Sequence, residues 1–180
     1  FITIFTSSSA VKLNFVHHNV QSLVQSGRSA EYENNFSGTS ALFLTGTRGK
    51  QLHKGQPCES TQEEHHLVYS WGYGAGPFTN RACGVQIRLH KKHFRPQHVR
   101  RTIHAPAAAQ GRGGALHIKA PHVHLLLVCV YFPVEPDSEQ LKRAYFKAVD
   151  ELIAWLADTL LDLPTSCTVC IGGDFNAGFG

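Results

Sequence analysis

Methionine is absent from the 180 residues, and the chain opens on Phe1. A translated product normally starts with methionine, so the sequence is read as a fragment or a partial gene product. Truncation is expected at the other end too, since Phe179 and Gly180 carry no tail. Long apolar runs are also missing. The longest, Leu125 to Val134, holds ten residues including Pro133. A membrane helix needs about 20, so the run is read as a buried strand and a membrane partner is not expected. The opening FITIFTSSSA has no basic region and too short an apolar stretch for a secretory signal. From His65 to Val134 there is no Asp or Glu, while nine Lys or Arg fall there: Arg81, Arg88, Lys91, Lys92, Arg95, Arg100, Arg101, Arg112 and Lys119. With a net charge of +4, that segregation suggests a positive surface able to meet a polyanion.

What is present is ordinary material for one domain. Apolar residues make up 42% and charged residues 17%, which excludes a disordered chain. Five cysteines is an odd number. Cys129, Cys167 and Cys170 stand in apolar, β-branched surroundings and are read as small core residues in a reducing, intracellular compartment, nuclear or cytoplasmic. Cys167-x-x-Cys170 lacks the second ligand pair a zinc site wants. Twelve histidines include the pairs His17-His18 and His65-His66 and the spacing His122-x-His124. The last could share a strand face and bind a metal, but no further ligand is in view.

Alternation in VKLNFV predicts a strand over 11–16. Gln21 to Phe36 is weakly helical. Ala41 to Leu44 is a short strand running into Thr45-Gly46-Thr47-Arg48. Residues 49–64 are polar and predicted to be loop. Leu67 to Trp71 and Gly84 to Leu89 predict strands, with Gly72, Gly74, Gly76 and Pro77 marking a turn between them. The basic stretch Lys91 to Arg101 reads as loop. Ala115 to Lys119 and His124 to Val130 predict a strand pair. Ser138 to Leu161 is the strongest helix, with Asp137 as N-cap, Gln140 completing a capping box, and an apolar stripe of Leu141, Tyr145, Val149, Leu152, Leu156 and Leu160. Thr168 to Ile171 is expected to be a central, buried strand ending in Gly172-Gly173-Asp174. This order fits a layered α/β or α+β sandwich, with residues 1–10 as an N-terminal segment and 11–180 as the domain.

The string IGGDFNAGFG, residues 171–180, carries most chemistry. On extended backbone Asp174 and Asn176 project together while Phe175 turns into the core. A carboxylate can hold or deprotonate a water, and an amide can donate to a phosphate oxygen. GGDFNA resembles the motif of the endonuclease/exonuclease/phosphatase superfamily, especially its retrotransposon-encoded, apurinic-endonuclease-like branch. Other segments are similar in the same order: FVHHNVQSL (Phe15 to Leu23), ALFLTGTR (Ala41 to Arg48), CGVQIRL (Cys83 to Leu89), Gly111-Arg112 before the strand Ala115 to Lys119, and VCVYFP (Val128 to Pro133).

The resemblance implies a β-sandwich nuclease fold and in-line hydrolysis of a phosphodiester with Mg²⁺. It implies DNA as the partner. By resemblance, Asn19 belongs to the metal and catalytic centre. Tyr131 contacts the scissile phosphate, Asp174 positions or activates the attacking water, and Asn176 holds the phosphate. Arg48 and Arg112 are carried over as substrate-binding. Two departures stand out. The magnesium-binding Glu of the second motif is replaced by Gly46, and the family's later acidic motif and closing Asp-His pair do not occur by Gly180. The chain is therefore expected to be an impaired nuclease, and Gly46→Glu to restore a metal ligand. The rival expectations are a non-catalytic retroelement remnant and a phosphatase or lipid phosphodiesterase of the same superfamily.

Overall fold

The computed structural model describes residues 2–4, 12–51, 57–74, 82–121, 123–161 and 163–176. Gly76, Pro77, Arg81, His122 and the motif residues 177–180 lie outside them. Ten strands are described: β1 (Ile2–Ile4), β2 (Leu13–Asn19), β3 (Ala41–Thr45), β4 (Glu59–Gln62), β5 (His66–Trp71), β6 (Val85–His90), β7 (Val99–His104), β8 (Gly113–Ala120), β9 (Val123–Tyr131) and β10 (Thr168–Asp174). The helices are α1 (Arg28–Asn35) and α2 (Glu139–Leu161). The strands form a six-stranded sheet in the order β1-β2-β3-β6-β5-β4 and a four-stranded sheet in the order β10-β9-β8-β7. This is the expected layered α+β sandwich, with each helix on the outer face of one sheet. Among the described residues no helix is long and apolar enough to cross a membrane.

Strand periodicity explains the layers. Leu13 and Phe15, Ala41 and Phe43, Val85 and Ile87, Leu116 and Ile118, Leu125 and Leu127, and Cys170 fill the space between the sheets. The alternate residues face the helices. Leu42 and Leu44 meet Tyr32 of α1. Ala115, Leu126, Val128 and Val130 meet Leu152 and Trp155 of α2. The run Leu125–Val130 is therefore wholly buried, as the sequence implies for a strand covered on both faces. The glycine before Gly173 has a packing reason: a Cβ on Gly172 would stand 2.6 Å from Phe43 Cγ, so the side-chain-free position lets the two sheets close.

Several expectations are corrected. The polar stretch 49–64 contains β4, and the basic stretch 91–101 runs into β7; both are edge strands, where polar and charged side chains meet solvent. Among the described residues β10 is likewise an edge strand, and Val169 and Ile171 are more than one-third exposed, so it is not the central strand expected. The buried face of α2 is Ala148, Leu152 and Trp155, while Leu141 of the expected stripe is exposed. Nor do all nine cations of the acid-free stretch build a surface. Arg88 is 0% exposed and pairs with Glu33 of α1 at 3.4 Å and with Glu63 at 2.9 Å. Glu33 also accepts from His66 Nδ1 at 2.8 Å, and this ionic cluster fastens α1 to the first sheet.

Candidate active-site cleft

Strands β2 and β3 run parallel, as do β9 and β10. The inner faces of these four strands change character at their C-terminal ends. On β2 the series Leu13, Phe15 gives way to His17 and Asn19; on β3, Ala41 and Phe43 give way to Thr45. On β9, Leu125, Leu127 and Cys129 lead to Tyr131; on β10, Cys170 and Gly172 lead to Asp174. The sandwich thus has an apolar body and one polar mouth. Asp174 and Tyr131 are direct register partners, as are Asn19 and Thr45. Across the mouth, Asn19 Nδ2 donates to Asp174 Oδ2 at 2.7 Å, joining the two sheets through residues 155 positions apart.

Each expected site residue has a definite place. Asp174 Oδ1 accepts from the Asn176 backbone N–H at 3.1 Å. Asn176 is not on extended backbone: its φ is 43°, and its side-chain Nδ2 donates to Phe132 O at 2.7 Å. Phe175 is half-exposed and stacks on Phe132 at 5.6 Å between ring centroids, so it does not turn into the core. The alternation assumed for Asp174 and Asn176 ends because the strand itself ends at Asp174. Arg112 is 6% exposed; its Nη1 donates to Tyr131 O at 3.2 Å, and its guanidinium lies 5.2 Å from the centroid of the Tyr131 ring. Burial pulls its pKa below the usual arginine value, opposed by Cys83 and Tyr131. Arg48 is exposed with φ 59° and borders a neighbouring cavity of about 440 Å³ with Lys50, Trp71 and Tyr73.

Gly46 follows the last residue of β3 and faces the mouth. Its φ is +66°, and a Cβ built there would stand 2.8 Å from Asn19 Oδ1. The space a second-motif carboxylate would use is taken by Asn19, so Gly46→Glu must displace the Asn19 side chain and bear a left-handed backbone. That corrects the expectation of a simple ligand restoration. A magnesium ion seeks oxygen ligands. Both Asp174 oxygens already accept N–H groups, and Asn19 Oδ1 accepts from Gln21 N at 3.3 Å. Gly46 brings no oxygen side chain, so Asp174, whose oxygens keep further lone pairs, is left as the one motif carboxylate to hold a magnesium ion.

The sequence reading passed over His17. It lies two residues before Asn19, hence on the same strand face, and its Nε2 is 3.2 Å from Thr45 Oγ1. Burial holds its pKa below the usual histidine value, the Asp174 carboxylate opposes this, and His18 adds to the lowering. Period-two alternation alone could have found it.

The basic stretch, in contrast, is not at the mouth. Leu89 pairs with Ala41 and Val85 with Thr45, so Lys91 and Lys92 follow β6 at the far end of the sandwich. Arg101 pairs with His117, which pairs with Leu126 near the start of β9.

Solved structures share this fold. A D. rerio TDP2 humanized by 14 mutations matches with a TM-score of 0.51 at 12% identity, over 92% of this chain and 62% of that one. The 3′ phosphatase NExo from Neisseria, bound to product DNA hairpin, matches with a TM-score of 0.51 at 17% identity, over 91% and 58%. The fold is of the endonuclease/exonuclease/phosphatase type. The endonuclease domain of TRAS1, a telomere-specific non-LTR retrotransposon, is also similar, with a TM-score of 0.48 at 16% identity, over 90% and 58%. The chain spans 58 to 62% of the length of these endonuclease/exonuclease/phosphatase-type structures. No family model and no curated protein matches the sequence.

Proposed function

We propose that the polar mouth of this sandwich is a phosphodiester cleft acting on nucleic acid, with DNA as the substrate and hydrolysis weakened by Gly46. The observation that carries this reading is the Asn19–Asp174 bond at the C-terminal ends of two parallel strand pairs. It gathers a carboxylate, an amide and a phenol from three remote segments into one place, which a merely structural turn at Asp174 does not require. That a structure of the same fold is bound to a DNA hairpin supports DNA as the polymer.

Each group has a role that its contacts allow. Asp174, fixed by Asn19 and by the Asn176 N–H, offers carboxylate lone pairs to the attacking water and can take its proton. Tyr131 presents a phenol to a phosphate oxygen, while Arg112 beneath it fixes the ring and adds positive charge from a buried position. Arg48 flanks the cleft as a contact for the neighbouring phosphate. Asn176 shapes the turn through Phe132 O, and the second N–H of its amide is the donor it offers to a phosphate. Magnesium is the ion implied by the resemblance, and with Asp174 as the motif carboxylate its affinity is expected to be low. Cys129 and Cys170 are buried in the core, which accords with the intracellular location read from the sequence.

A specific observation favours a second reading. Gly46 in place of the motif carboxylate fits a non-catalytic remnant that still binds phosphate. Plasmid nicking by the wild type and Asp174→Ala across a magnesium titration separates the cases. Weak nicking at high magnesium, lost in Asp174→Ala, is expected. Nicking that survives Asp174→Ala places the chemistry elsewhere. No nicking by a folded wild type, with DNA binding intact, leaves the non-catalytic reading.

A further inference from the structure

The outer face of the second sheet carries a cluster that the cleft does not use. His117 of β8 and His124 of β9 are diagonal neighbours, because His117 pairs with Leu126 and Lys119 with His124. Their Nε2 atoms are 2.6 Å apart. Cys167, just before β10, joins them: one ring nitrogen of each histidine and the Cys167 Sγ all lie within 4.8 Å of one another. Among the described residues no other three His, Cys, Asp or Glu groups gather in this way. Cys170 does not take part. It is buried in the core between the sheets, so the Cys-x-x-Cys spacing does not form a ligand pair.

We propose that His117, His124 and Cys167 form a binding site for a zinc-class transition-metal ion, separate from the cleft. Two imidazoles and a thiolate select such an ion over a hard cation such as magnesium. The site lies near the start of β9 and β10, whereas Tyr131 and Asp174 end those strands. Six strand residues separate the two levels, roughly 20 Å at about 3.3 Å per residue. A tetrahedral ion holds nitrogen at about 2.0–2.1 Å and sulfur at about 2.3 Å, which sets the two nitrogens about 3.3 Å apart. The rings need to part by less than about 1 Å to admit it. The other nitrogen of His124, Nδ1, lies 3.2 Å from Ser166 Oγ, a contact that can orient the ring. A cavity of about 410 Å³ reaches His124 and Ser166 and gives an ion a path from solvent.

Arg101 and Lys119 stand near the His117 ring. The Cys167 thiol gives up one proton as the sulfur–metal bond forms. The same Arg101 and Lys119 oppose a cation, and the thiolate charge offsets one of them. Three protein ligands leave a fourth position for water. The ion would clip the β8–β9 hairpin to the connection between α2 and β10.

Cobalt(II) serves as the probe, titrated into the full chain and followed by thiolate-to-metal charge-transfer absorption. One equivalent is expected, displaced by zinc. Cys167→Ser should abolish the band, His117→Gln and His124→Gln should weaken binding at least tenfold, and Asp174→Asn should leave it unchanged. At a hundredfold excess over Kd, zinc should raise the Tm by roughly 5–10 °C. Should Cys167→Ser misfold, wild-type Cys167 is alkylated with and without zinc, and protection of at least tenfold is expected. A chain that gives no band, or a Cys167→Ser variant that keeps it, overturns the site, as does unprotected alkylation. None of these results bears on phosphodiester cleavage.

Discussion

Replacing Gly46 by alanine probes the cleft at its tightest point. The backbone there has φ +66°, and the new Cβ would stand 2.8 Å from Asn19 Oδ1. Forcing an L-residue into the left-handed region costs about 1–2 kcal/mol. Pushing Asn19 aside also breaks its 2.7 Å donation to Asp174. A hydrogen bond to a charged group contributes about 1.5–3 kcal/mol, and partial exposure of this pair places it at the low end. Gly46→Ala should therefore lower the unfolding free energy by about 2–4 kcal/mol. In an Asn19→Ala background the obstructing oxygen is gone, and the same change should cost only the backbone part, about 1–2 kcal/mol. Urea denaturation of the four proteins measures the coupling. If Gly46→Ala costs the same in both backgrounds, the Gly46–Asn19 approach is wrong. If it costs nothing, the backbone conformation is wrong as well. Gly46→Glu should be at least as destabilising as alanine and should not strengthen magnesium binding.

The ionic cluster under α1 yields two expectations. Arg88→Met leaves Glu33 buried without its cation and should destabilise the chain by about 3–5 kcal/mol in denaturation. Burial favours the neutral form of Glu33, but hydrogen bonds from His65 N and His66 outweigh it and hold the pKa below its ordinary 4.5. That contribution is complete above pH 4.5 and falls away as pH drops through the lowered value, so Glu33→Gln should flatten the acid limb of a stability-against-pH curve. Replacing Lys91, Lys92, Arg95, Arg100 and Arg101 by serine should weaken duplex binding and reduce its salt slope by up to about 5. The stretch is at the opposite end from the cleft, so the residual nicking rate at saturating DNA should be unchanged, and a loss there would contradict the placement.

Strand ends and their chemistry were legible in the sequence where hydrophobicity stops abruptly. Leu125 to Val130 reads as a doubly covered strand because every side chain is apolar, and IGGD reads as a strand meeting a close neighbour, which is Phe43 over Gly172. Edge strands were not legible. Glu59–Gln62 and Val99–His104 carry the polar and basic residues that make a strand look like loop, because one side of each ladder is solvent. The burial of Arg88 was hidden for another reason: its partners Glu33 and Glu63 are remote in sequence, and a cation looks like surface until its counter-ions are located. Phe175 misled because alternation was continued one residue past the strand's end. His117, His124 and Cys167 share a sheet face, and only the register of β8, β9 and β10 brings them together.

The central claim is that nucleic-acid phosphate sits in the mouth between the two sheets. The most direct test follows backbone amide resonances of the isotope-labelled chain as a short duplex oligonucleotide is added. The account predicts saturable shifts at Asn19, Gly46, Tyr131 and Asp174 through Asn176, reduced in Tyr131→Phe, with weaker, salt-sensitive shifts along Lys91 to Arg101. Shifts confined to the basic stretch, with the residues around Asp174 unmoved at saturation, would contradict it.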